Sequence, residues 1–399
     1  MSGAFEQALV GTFLGTTIGL CSGVVPGLHI NLLGMIIAQA GRLHELSWLF
    51  VSVMIFSAAA SQIFSAFLPS ILLGAPGSEN FLAALPGQKM LIRGMGLRAV
   101  FISVAAALLG MLLGVILLAP FTIAAPLLYS LVSPAIPYAL LIVSFSMFMR
   151  EETAKKKIWA FVCFTLSGLA GLFALNSQIR NPLTPMLSGL FGAGMLISSL
   201  IQKSSIPPQN KHWMSLPPSI MRNSILSVLS AGMVCLFPAI GPAQAAAVAS
   251  ELSNAEGEDY LAISGGISSA NLILSLGTAL ALGKARNGAT ALAVIKPDPV
   301  LIGVLAACAL ISASVSAALV LRLSPAILSL IQKANYRNVS IISIFAMLVG
   351  SAVFSGVWGV LLFLTSAAIG LLANLLGISR SSLMGCLVVP VVVNYLRFF

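Results

Sequence analysis

The chain has 399 residues, of which 59% are apolar and only 8% are charged, and its formal net charge is +10. A soluble globular domain contains about 45–50% apolar and about 25% charged residues. This composition excludes a soluble enzyme, a disordered chain and a nucleic-acid-binding domain. The class that fits is a membrane protein that crosses the bilayer several times.

Uncharged stretches mark the predicted membrane segments in chain order. A helix needs about 20 apolar residues to cross a bilayer core, and most of these stretches have room for one such helix. Two of them have room for two, so the sequence predicts an all-α polytopic membrane protein with about eleven to thirteen membrane segments. The stretches without Lys, Arg, Asp or Glu are 7–41, 46–78, 99–149, 158–179, 181–202, 223–250, 260–283, 299–321, 338–379 and 381–396.

A polar stretch at 203–222 divides the chain. It contains four prolines and three basic residues, which is typical of a loop. Basic loops tend to stay on the cytoplasmic side of a membrane. We therefore predict a cytoplasmic linker at 203–222 between a first membrane half, 1–202, and a second half, 223–399. The stretch 251–259 holds four acids and no base, and we expect it on the outer side.

The two halves contain similar elements in the same order, which suggests an internal repeat. Each half has an apolar stretch interrupted by Pro and Gly, at 23–31 and at 236–244. Each then has a short polar segment that ends in Asn, at 77–80 and at 268–271. Inverted repeats with broken helices are a common design of transporters, so we expect an inverted repeat. The alternative is chance similarity among helices rich in Gly, Ala and Ser.

The two interruptions predict broken or re-entrant helices. Pro26 and Gly27 interrupt the first half, and Pro238, Gly241 and Pro242 interrupt the second. Proline breaks a helix because it lacks a backbone N–H and clashes with the preceding turn. The new half-helix presents free N–H groups and the positive end of its dipole, which favour an anion. Two matched breaks therefore predict a substrate-binding site, whereas a single break would be better explained as a plain proline kink.

A further chain break is predicted just before Glu79. Gly74, Pro76 and Gly77 permit an irregular backbone, and Ser78 is suited to cap a helix that follows. We assign Gly74, Pro76, Gly77 and Ser78 to the substrate site. Glu79 is either a favourable partner of the helix dipole or the residue that couples transport to Na⁺ or H⁺.

Other polar side chains accompany these breaks. Asn80 and Asn271 are predicted as matched ligands of the substrate, with hydrogen bonding between helices as the alternative. His29 lies two residues after the first break and either contacts the substrate or packs within the protein. The remaining polar candidates for substrate binding are Asn31, Gln244 and Ser268.

Four basic residues flank the predicted segments: Lys89, Arg93, Lys284 and Arg286. They are either anchors in loops on the inner side or groups that attract an anionic substrate or a lipid headgroup.

Enzyme motifs are missing from the sequence. Residues 266–269 resemble the Gly-x-Ser turn of an intramembrane serine protease, but all three histidines, at positions 29, 44 and 212, precede it, so the required base does not follow. There is no phosphate-binding Walker loop, and the five cysteines are far apart. We expect no enzymatic activity, no cofactor and no metal site.

Several segments spread along nearly the whole chain carry a resemblance: 23–31, 72–76, 85–87, 94–99, 237–242, Asn271, 284–288 and 377–385. Their order resembles that of the large permease subunit of the tripartite tricarboxylate transporters. The Pro-Gly-x-His-x-Asn form of residues 26–31 is especially similar to the shorter archaeal members of that family.

The resemblance implies a multi-pass carrier in the cytoplasmic membrane of a prokaryote. It implies organic anions such as citrate as substrates, an ion gradient as the driving force, and assistance from a small membrane subunit and an extracytoplasmic binding protein. It also implies which residues form the broken-helix elements of the site, namely Pro26, Gly27, Gly74, Pro76, Pro238, Gly241 and Pro242.

Two functions are consistent with these sequence features. The first is a secondary active transporter of a small organic carboxylate anion coupled to Na⁺ or H⁺. The alternative is a translocase of a polyprenyl phosphate or another anionic lipid headgroup, because a phosphate suits a half-helix N-terminus as well as a carboxylate does. A closed polar cavity would favour the first, and a lateral opening toward lipid would favour the second.

Overall fold

The computed structural model describes residues 2–25, 30–73, 84–135, 138, 142, 145, 148–149, 151–202, 207–210, 214–237, 241–294, 298–333 and 336–396. No strand occurs within these ranges. The helices in chain order are α1 (Ser2–Gly23), α2 (Ile30–Leu43), α3 (Trp48–Ser65), α4 (Ala84–Ile92), α5 (Gly96–Val132), α6 (Ala154–Asn176), α7 (Leu183–Leu187), α8 (Gly194–Gln202), α9 (Ile220–Leu236), α10 (Pro242–Leu252), α11 (Glu258–Leu282), α12 (Gly288–Ala293), α13 (Pro299–Lys333), α14 (Tyr336–Leu375) and α15 (Gly385–Leu396).

Short irregular turns continue several of these helices. Wider π-helical turns follow α3 at Pro69–Leu73 and join α7 to α8 at Ser188–Ala193. Tighter 3₁₀ turns follow α5 at Ser133–Ala135 and precede α15 at Arg380–Met384.

Six helical segments are long and apolar enough to cross a membrane, and four shorter apolar helices accompany them in the described ranges. The prediction of an all-α polytopic membrane protein is therefore confirmed, while the exact number of segments stays a prediction. Helix α14 is divided at Gly356, whose φ of 67° is not helical. This division matches the two segments expected for 338–379. The six long segments are Trp48–Leu72, Gly96–Val132, Ala154–Asn176, Glu258–Leu282, Pro299–Leu330 and Ser340–Leu375.

In the second half, α9 and α10 form a helical hairpin that stops within the protein. Helix α9 runs parallel to α11, since Asn223 Nδ2 donates to Asp259 Oδ1 (2.7 Å) near its start and Cys235 Sγ donates to Asn271 Oδ1 (3.3 Å) near its end. The tip of the hairpin therefore lies level with Asn271, midway along the 25 residues of α11. Because α11 is about 37 Å long, the tip lies deep inside the helical bundle.

The first half repeats this hairpin with α1 and α2. Helix α1 runs parallel to α3, since Ser47 Oγ donates to Gln7 Oε1 (2.6 Å) at the start and Gln62 Nε2 donates to Ser22 Oγ (3.2 Å) near the end. The tip of this hairpin also lies beside the interior part of a long buried helix. Within the described ranges, each half therefore has a pair of helices that meets beside the interior of a long buried helix, as the predicted re-entrant hairpins would.

Helices are exchanged between the halves in a symmetric way. Helix α5 packs along α11, and α13 packs along α3, so each half covers the buried third helix of the other. The π-helical turn Pro69–Leu73, which follows α3, packs on α4, and α4 leads into the start of α5. Near the start of α3, Ser52 Oγ instead donates to the carbonyl oxygen of Ala293 (2.8 Å), which lies beyond the end of α11. Helices α3 and α11 therefore run in opposite directions, the arrangement that an inverted repeat produces. The domain boundaries stay a prediction.

The acidic stretch 251–259 and the linker, which were expected on opposite sides, lie at the same end of the bundle. Glu258 forms a bidentate ion pair with Arg98 at the start of α5, with Nη2 and Oε2 2.9 Å apart. Asp259 accepts hydrogen bonds from Ser219 in the linker and from Asn223 just after it. The acids therefore lie at the same end of the bundle as the linker. Acidic residues have little influence on sidedness, and here they serve as ion-pair partners in the first turn of α11.

A second helical group packs beside the exchanged helices. It consists of α6, α7, α8, α14 and α15 and has its own apolar core, which includes Cys163, Leu190 and Leu383. A cluster around Phe148, Phe164 and Val392 joins this group to Tyr129 of α5 and to Phe237 beside the second hairpin tip. The second tip therefore lies near the boundary between the two groups.

Candidate functional site

The second hairpin tip is a true interruption of the chain. Helix α9 ends at Leu236, and α10 begins at Pro242, where the missing N–H of proline causes no loss. The N–H of Ala245 donates to the carbonyl oxygen of Gly241 at 3.2 Å, which forms the first turn of α10. The break predicted around these residues is therefore present, and its role in binding stays a prediction.

Arg286 holds the end of α9 at this tip. Its Nε donates to the carbonyl oxygen of Cys235 (3.0 Å), and its Nη2 donates to that of Leu236 (3.3 Å). The last carbonyl groups of a helix have no partner within the helix, so Arg286 satisfies two of them. Its own backbone N–H donates to Ser275 Oγ on α11 (3.1 Å), which fixes the loop that carries the side chain.

Lys284 and Arg286 share one aromatic partner, Tyr129. Lys284 Nζ donates to the hydroxyl of Tyr129 (2.8 Å) and lies 4.1 Å from the ring centroid, while Arg286 Cζ lies 5.6 Å from the same centroid. A cation near an aromatic face is stabilised by the ring quadrupole. Across the described ranges neither cation forms an ion pair with Asp or Glu. Two positive charges therefore lie beside the hairpin tip without a carboxylate to balance them.

Asn271 faces the same tip from α11. The thiol of Cys235 donates to its side-chain oxygen, as described above, and the side chain is 3% exposed. Ser268 and Ser275 lie three residues before it and four after it, so the three side chains share one face of the helix. Ser268 is also buried and donates to the carbonyl oxygen of Ser264 (3.0 Å). Of the predicted residues, the structure thus brings together Asn271, Lys284 and Arg286 around the second tip.

At the first hairpin tip, Gln62 takes the place that Asn271 has at the second. Gln62 donates to Ser22, one residue before α1 ends, just as Asn271 contacts Cys235 one residue before α9 ends. Ser65 Oγ adds a hydrogen bond to the carbonyl oxygen of Gly19 (3.1 Å). The structural counterpart of Asn271 is therefore an amide on α3, a position that the sequence comparison of Asn80 with Asn271 did not identify.

Lys89 and Arg93 do not join Lys284 and Arg286. Both are exposed, on α4 and directly after it, at the end of the bundle that carries the linker. The linker contacts this region, since Gln209 Nε2 donates to the carbonyl oxygen of Leu91 (3.1 Å). The four predicted cations thus form two pairs at opposite ends of α5 and α11.

Other predicted site residues lie outside the described residues. The side chains of Asn31 and Gln244 are among them, although their backbones begin α2 and α10. The rest are Pro26, Gly27, His29, Gly74, Pro76, Gly77, Ser78, Glu79, Asn80 and Pro238.

Sequence reasoning missed Tyr129, Ser275 and Gln62. Tyr129 lies near the middle of the uncharged stretch 99–149, where the two segments predicted there would meet, and Tyr is commonly enriched at the ends of membrane segments. Ser275 comes one helical turn after Asn271. Both signals were available in the sequence. Gln62 is an amide in the middle of an uncharged stretch, which by itself marks a functional candidate in a membrane segment.

Comparisons with known proteins fit this architecture. A family model described as the tripartite tricarboxylate transporter TctA family matches residues 9–385, which include both hairpins and the cations beside the second tip. The chain is 24% identical over 402 residues to an uncharacterized protein of Methanocaldococcus jannaschii, and the alignment covers 98% of each chain. No solved structure matches the chain.

Proposed function

The chain belongs to the tripartite tricarboxylate transporter TctA family, and we propose that it is a secondary active transporter of a small organic carboxylate anion. We place it in the cytoplasmic membrane of a prokaryote. The multi-pass helical architecture and the transporter family support this proposal. The family does not favour the translocation of a lipid phosphate.

One observation supports an anionic substrate most directly. Lys284 and Arg286 both lie against one tyrosine ring, beside a hairpin tip, with no acidic partner in the part of the chain that the structure describes. Lys284 is exposed and Arg286 is partly buried, so both charges are accessible, and an arriving carboxylate would supply the missing negative charge. The positive end of α10 begins at the same tip and favours an anion as well.

Arg286 is able to bind the substrate and hold the hairpin at the same time. A guanidinium group has five N–H donors in a planar fork, and the carbonyl groups of Cys235 and Leu236 engage Nε and Nη2. The remaining donors suit the two oxygens of a carboxylate. We propose that substrate binding at Arg286 thereby changes how firmly the end of α9 is held, and that this links binding to movement of the hairpin.

Coupling and accessory subunits complete the proposal. We propose that Na⁺ or H⁺ drives transport and that Glu79 takes part in binding the ion. The family description is that of a tripartite system, which supports a small membrane subunit and an extracytoplasmic binding protein as partners of this chain.

The test is the thermal stability of the purified chain with candidate ligands. The ligands are citrate, succinate and a short polyprenyl phosphate, each with and without Na⁺. A ligand at 100 times its Kd that binds only the folded state adds about 2.7 kcal/mol of stability. We expect a carboxylate to raise Tm, with a larger shift in Na⁺, and Arg286→Gln to remove the Na⁺-dependent part of the shift.

Two further variants make this test specific. Arg286→Lys keeps the charge but not the planar fork, and we expect it to retain part of the shift. Arg42→Gln removes an exposed arginine at the end of α2 and should leave the shift unchanged. A shift with the polyprenyl phosphate alone would overturn carboxylate transport in favour of a lipid substrate.

A further inference from the structure

Arg380 occupies a turn between two helices of the second helical group. Helix α14 ends at Leu375, the chain reverses at Gly377 with a φ of 62°, and Arg380 begins the 3₁₀ turn that leads into α15. Its Nε donates to Asn374 Oδ1 at the end of α14 (3.2 Å). This hydrogen bond holds the guanidinium group beside the turn.

The opposite side of this guanidinium group has no hydrogen-bond partner within the described part of the chain. Arg380 Nη1 is buried and forms no hydrogen bond, and the buried hydroxyl of Ser382, two residues later, is also without one. In the ranges that the structure covers, Arg380 forms no ion pair. Burial lowers the pKa of Arg380 to about 10, so the group still carries its charge at neutral pH. A buried cation without a counter-charge is costly.

The nearby carboxylate already has another partner. Glu151 is 9% exposed, and its Oε1 accepts the backbone N–H of Ser379 at 2.6 Å. It therefore stabilises the backbone of the turn, next to a guanidinium group with which it forms no ion pair. Among the described residues, no group takes the position of a counter-ion of Arg380.

We propose that Arg380 is the cationic group of a second anion-binding site, which binds a carboxylate of a small organic acid through Nη1. The hydroxyl of Ser382 supplies a further donor. Two N–H groups on one guanidinium nitrogen and one hydroxyl match the acceptors of a single carboxylate. This site does not depend on the one at Arg286, and either can fail without the other.

The second site lies at the opposite end of the molecule from Arg286. Residues 183–202 and the second part of α14 run in the same direction, since an added Cβ at Gly189 would contact Phe363 and one at Gly194 would contact Gly370. The end of α14, and with it the turn that carries Arg380, therefore lies at the same end as residue 202 and the linker that follows it. Arg380 thus lies at the end of the bundle that carries the linker. Arg286 lies beside the second half of α11, toward the opposite end of the bundle. Val388 and Val392 of α15 belong to the apolar cluster that reaches Tyr129 and Phe237. An apolar layer therefore lies between the two cationic sites.

The experiment uses the purified full chain with Lys284→Gln and Arg286→Gln, which removes the first site. Tm is measured against citrate, acetate, inorganic phosphate and short-chain phosphatidylglycerol. We expect citrate and acetate to raise Tm with a saturable dependence, and Arg380→Gln to weaken this response about tenfold or more, since a charge-assisted hydrogen bond typically contributes that much. Arg380→Lys should keep part of the response. Arg322→Gln, an exposed arginine on α13, is the matched control and should keep all of it.

A purely structural role for Arg380 predicts a different pattern. Without anions, Arg380→Gln should then lower Tm, and the response to citrate should persist. Under our proposal the substitution removes an unpaired buried charge, so Tm without anions stays the same or rises. If Arg380→Gln does not fold, Ser382→Ala provides the second test, with an expected loss of a few fold in affinity. An unchanged response to citrate in these variants, or a response to phosphatidylglycerol alone, would overturn the proposal.

Discussion

Tyr129 brings Lys284 and Arg286 together without neutralising either charge. Its hydroxyl accepts from Lys284, and its ring lies within cation–π distance of both side chains. An acidic residue in this place would form an ion pair and compete with an anionic substrate. An aromatic ring positions the cations and leaves their charge available.

We expect the ring of Tyr129 to matter more than its hydroxyl. Tyr129→Phe keeps the ring and should weaken the citrate-dependent Tm shift by no more than about threefold, whereas Tyr129→Ala should weaken it by about tenfold, in keeping with the strength of cation–π contacts. Tyr138→Phe, at a side chain that is 65% exposed, is the control. Equal effects of the Phe and Ala variants would assign the contribution to the hydroxyl.

A role in coupling transport to Na⁺ or H⁺ can be tested directly at Glu79. We expect Glu79→Gln to change the Na⁺ or pH dependence of substrate uptake into proteoliposomes, because an amide neither binds Na⁺ as a carboxylate does nor takes up a proton at these pH values. Uptake is measured against Na⁺ at fixed pH and against pH at fixed Na⁺. Glu152→Gln, at an exposed glutamate paired with Lys156, is the control. An unchanged ion requirement would contradict a coupling role and would favour interaction with the helix dipole as the role of Glu79.

At the scale of helices, close backbone contact holds α5 to α11. A Cβ atom at Gly110 would approach the carbonyl oxygen of Gly266 to 2.5 Å, and one at Gly265 would approach that of Ser103 to 2.6 Å. Small residues allow helices to approach closely in membranes, where van der Waals packing is a main source of association. The helix pair that supports the second hairpin therefore depends on glycine.

Gly110→Ala should lower the Tm of the purified chain, since overpacking typically costs about 1–3 kcal/mol. The matched control is Gly303→Ala on α13, where no atom lies within 4 Å of the added Cβ. There the better helix propensity of alanine should leave Tm unchanged or raise it, by up to about 1 kcal/mol in stability. Similar Tm values for the two variants would contradict close packing of α5 on α11.

The sequence was sufficient to predict the breaks but not their environment. Pro and Gly disrupt a helix through local geometry, so the interruptions near 26–29 and 237–241 were visible without a structure. The partners of each tip come from distant helices: Tyr129 from α5, Gln62 from α3 and Arg286 from the loop after α11. Local patterns do not specify such contacts. The acidic stretch 251–259 lies at the same end of the bundle as the basic linker, so charge alone did not show that the two loops are neighbours.

At the scale of the whole molecule, the two hairpins enter the bundle from opposite ends. Helix α1 starts beside Ser47 at the beginning of α3, whereas α9 starts beside Asp259 at the beginning of α11. Because α3 and α11 run in opposite directions, the two hairpins extend to their tips from opposite ends of the bundle. This arrangement is the one that alternating access requires of an inverted repeat.

Labelling of single cysteines by a membrane-impermeant maleimide tests this topology. Cys21 is exposed and the other four cysteines are buried, so Cys21→Ser is a suitable background. We expect Met214→Cys and Glu256→Cys to react from one side of the membrane and Ala285→Cys from the other, as these three positions are exposed at opposite ends of α11. Leu43→Cys, at the end of α2, should react together with Ala285→Cys. Reaction of Glu256→Cys from the side of Ala285→Cys would contradict the fold.

The exchange of helices between the halves has a consequence for biosynthesis. Helix α5 leaves the ribosome long before α11, the helix that covers its glycine-lined face, and α3 likewise precedes α13. The newly inserted first half therefore exposes two incomplete helix surfaces to lipid until the second half follows. Final assembly of this protein must come late in translation, and a ribosome that stalls within the linker would leave a fragment that quality-control proteases recognise.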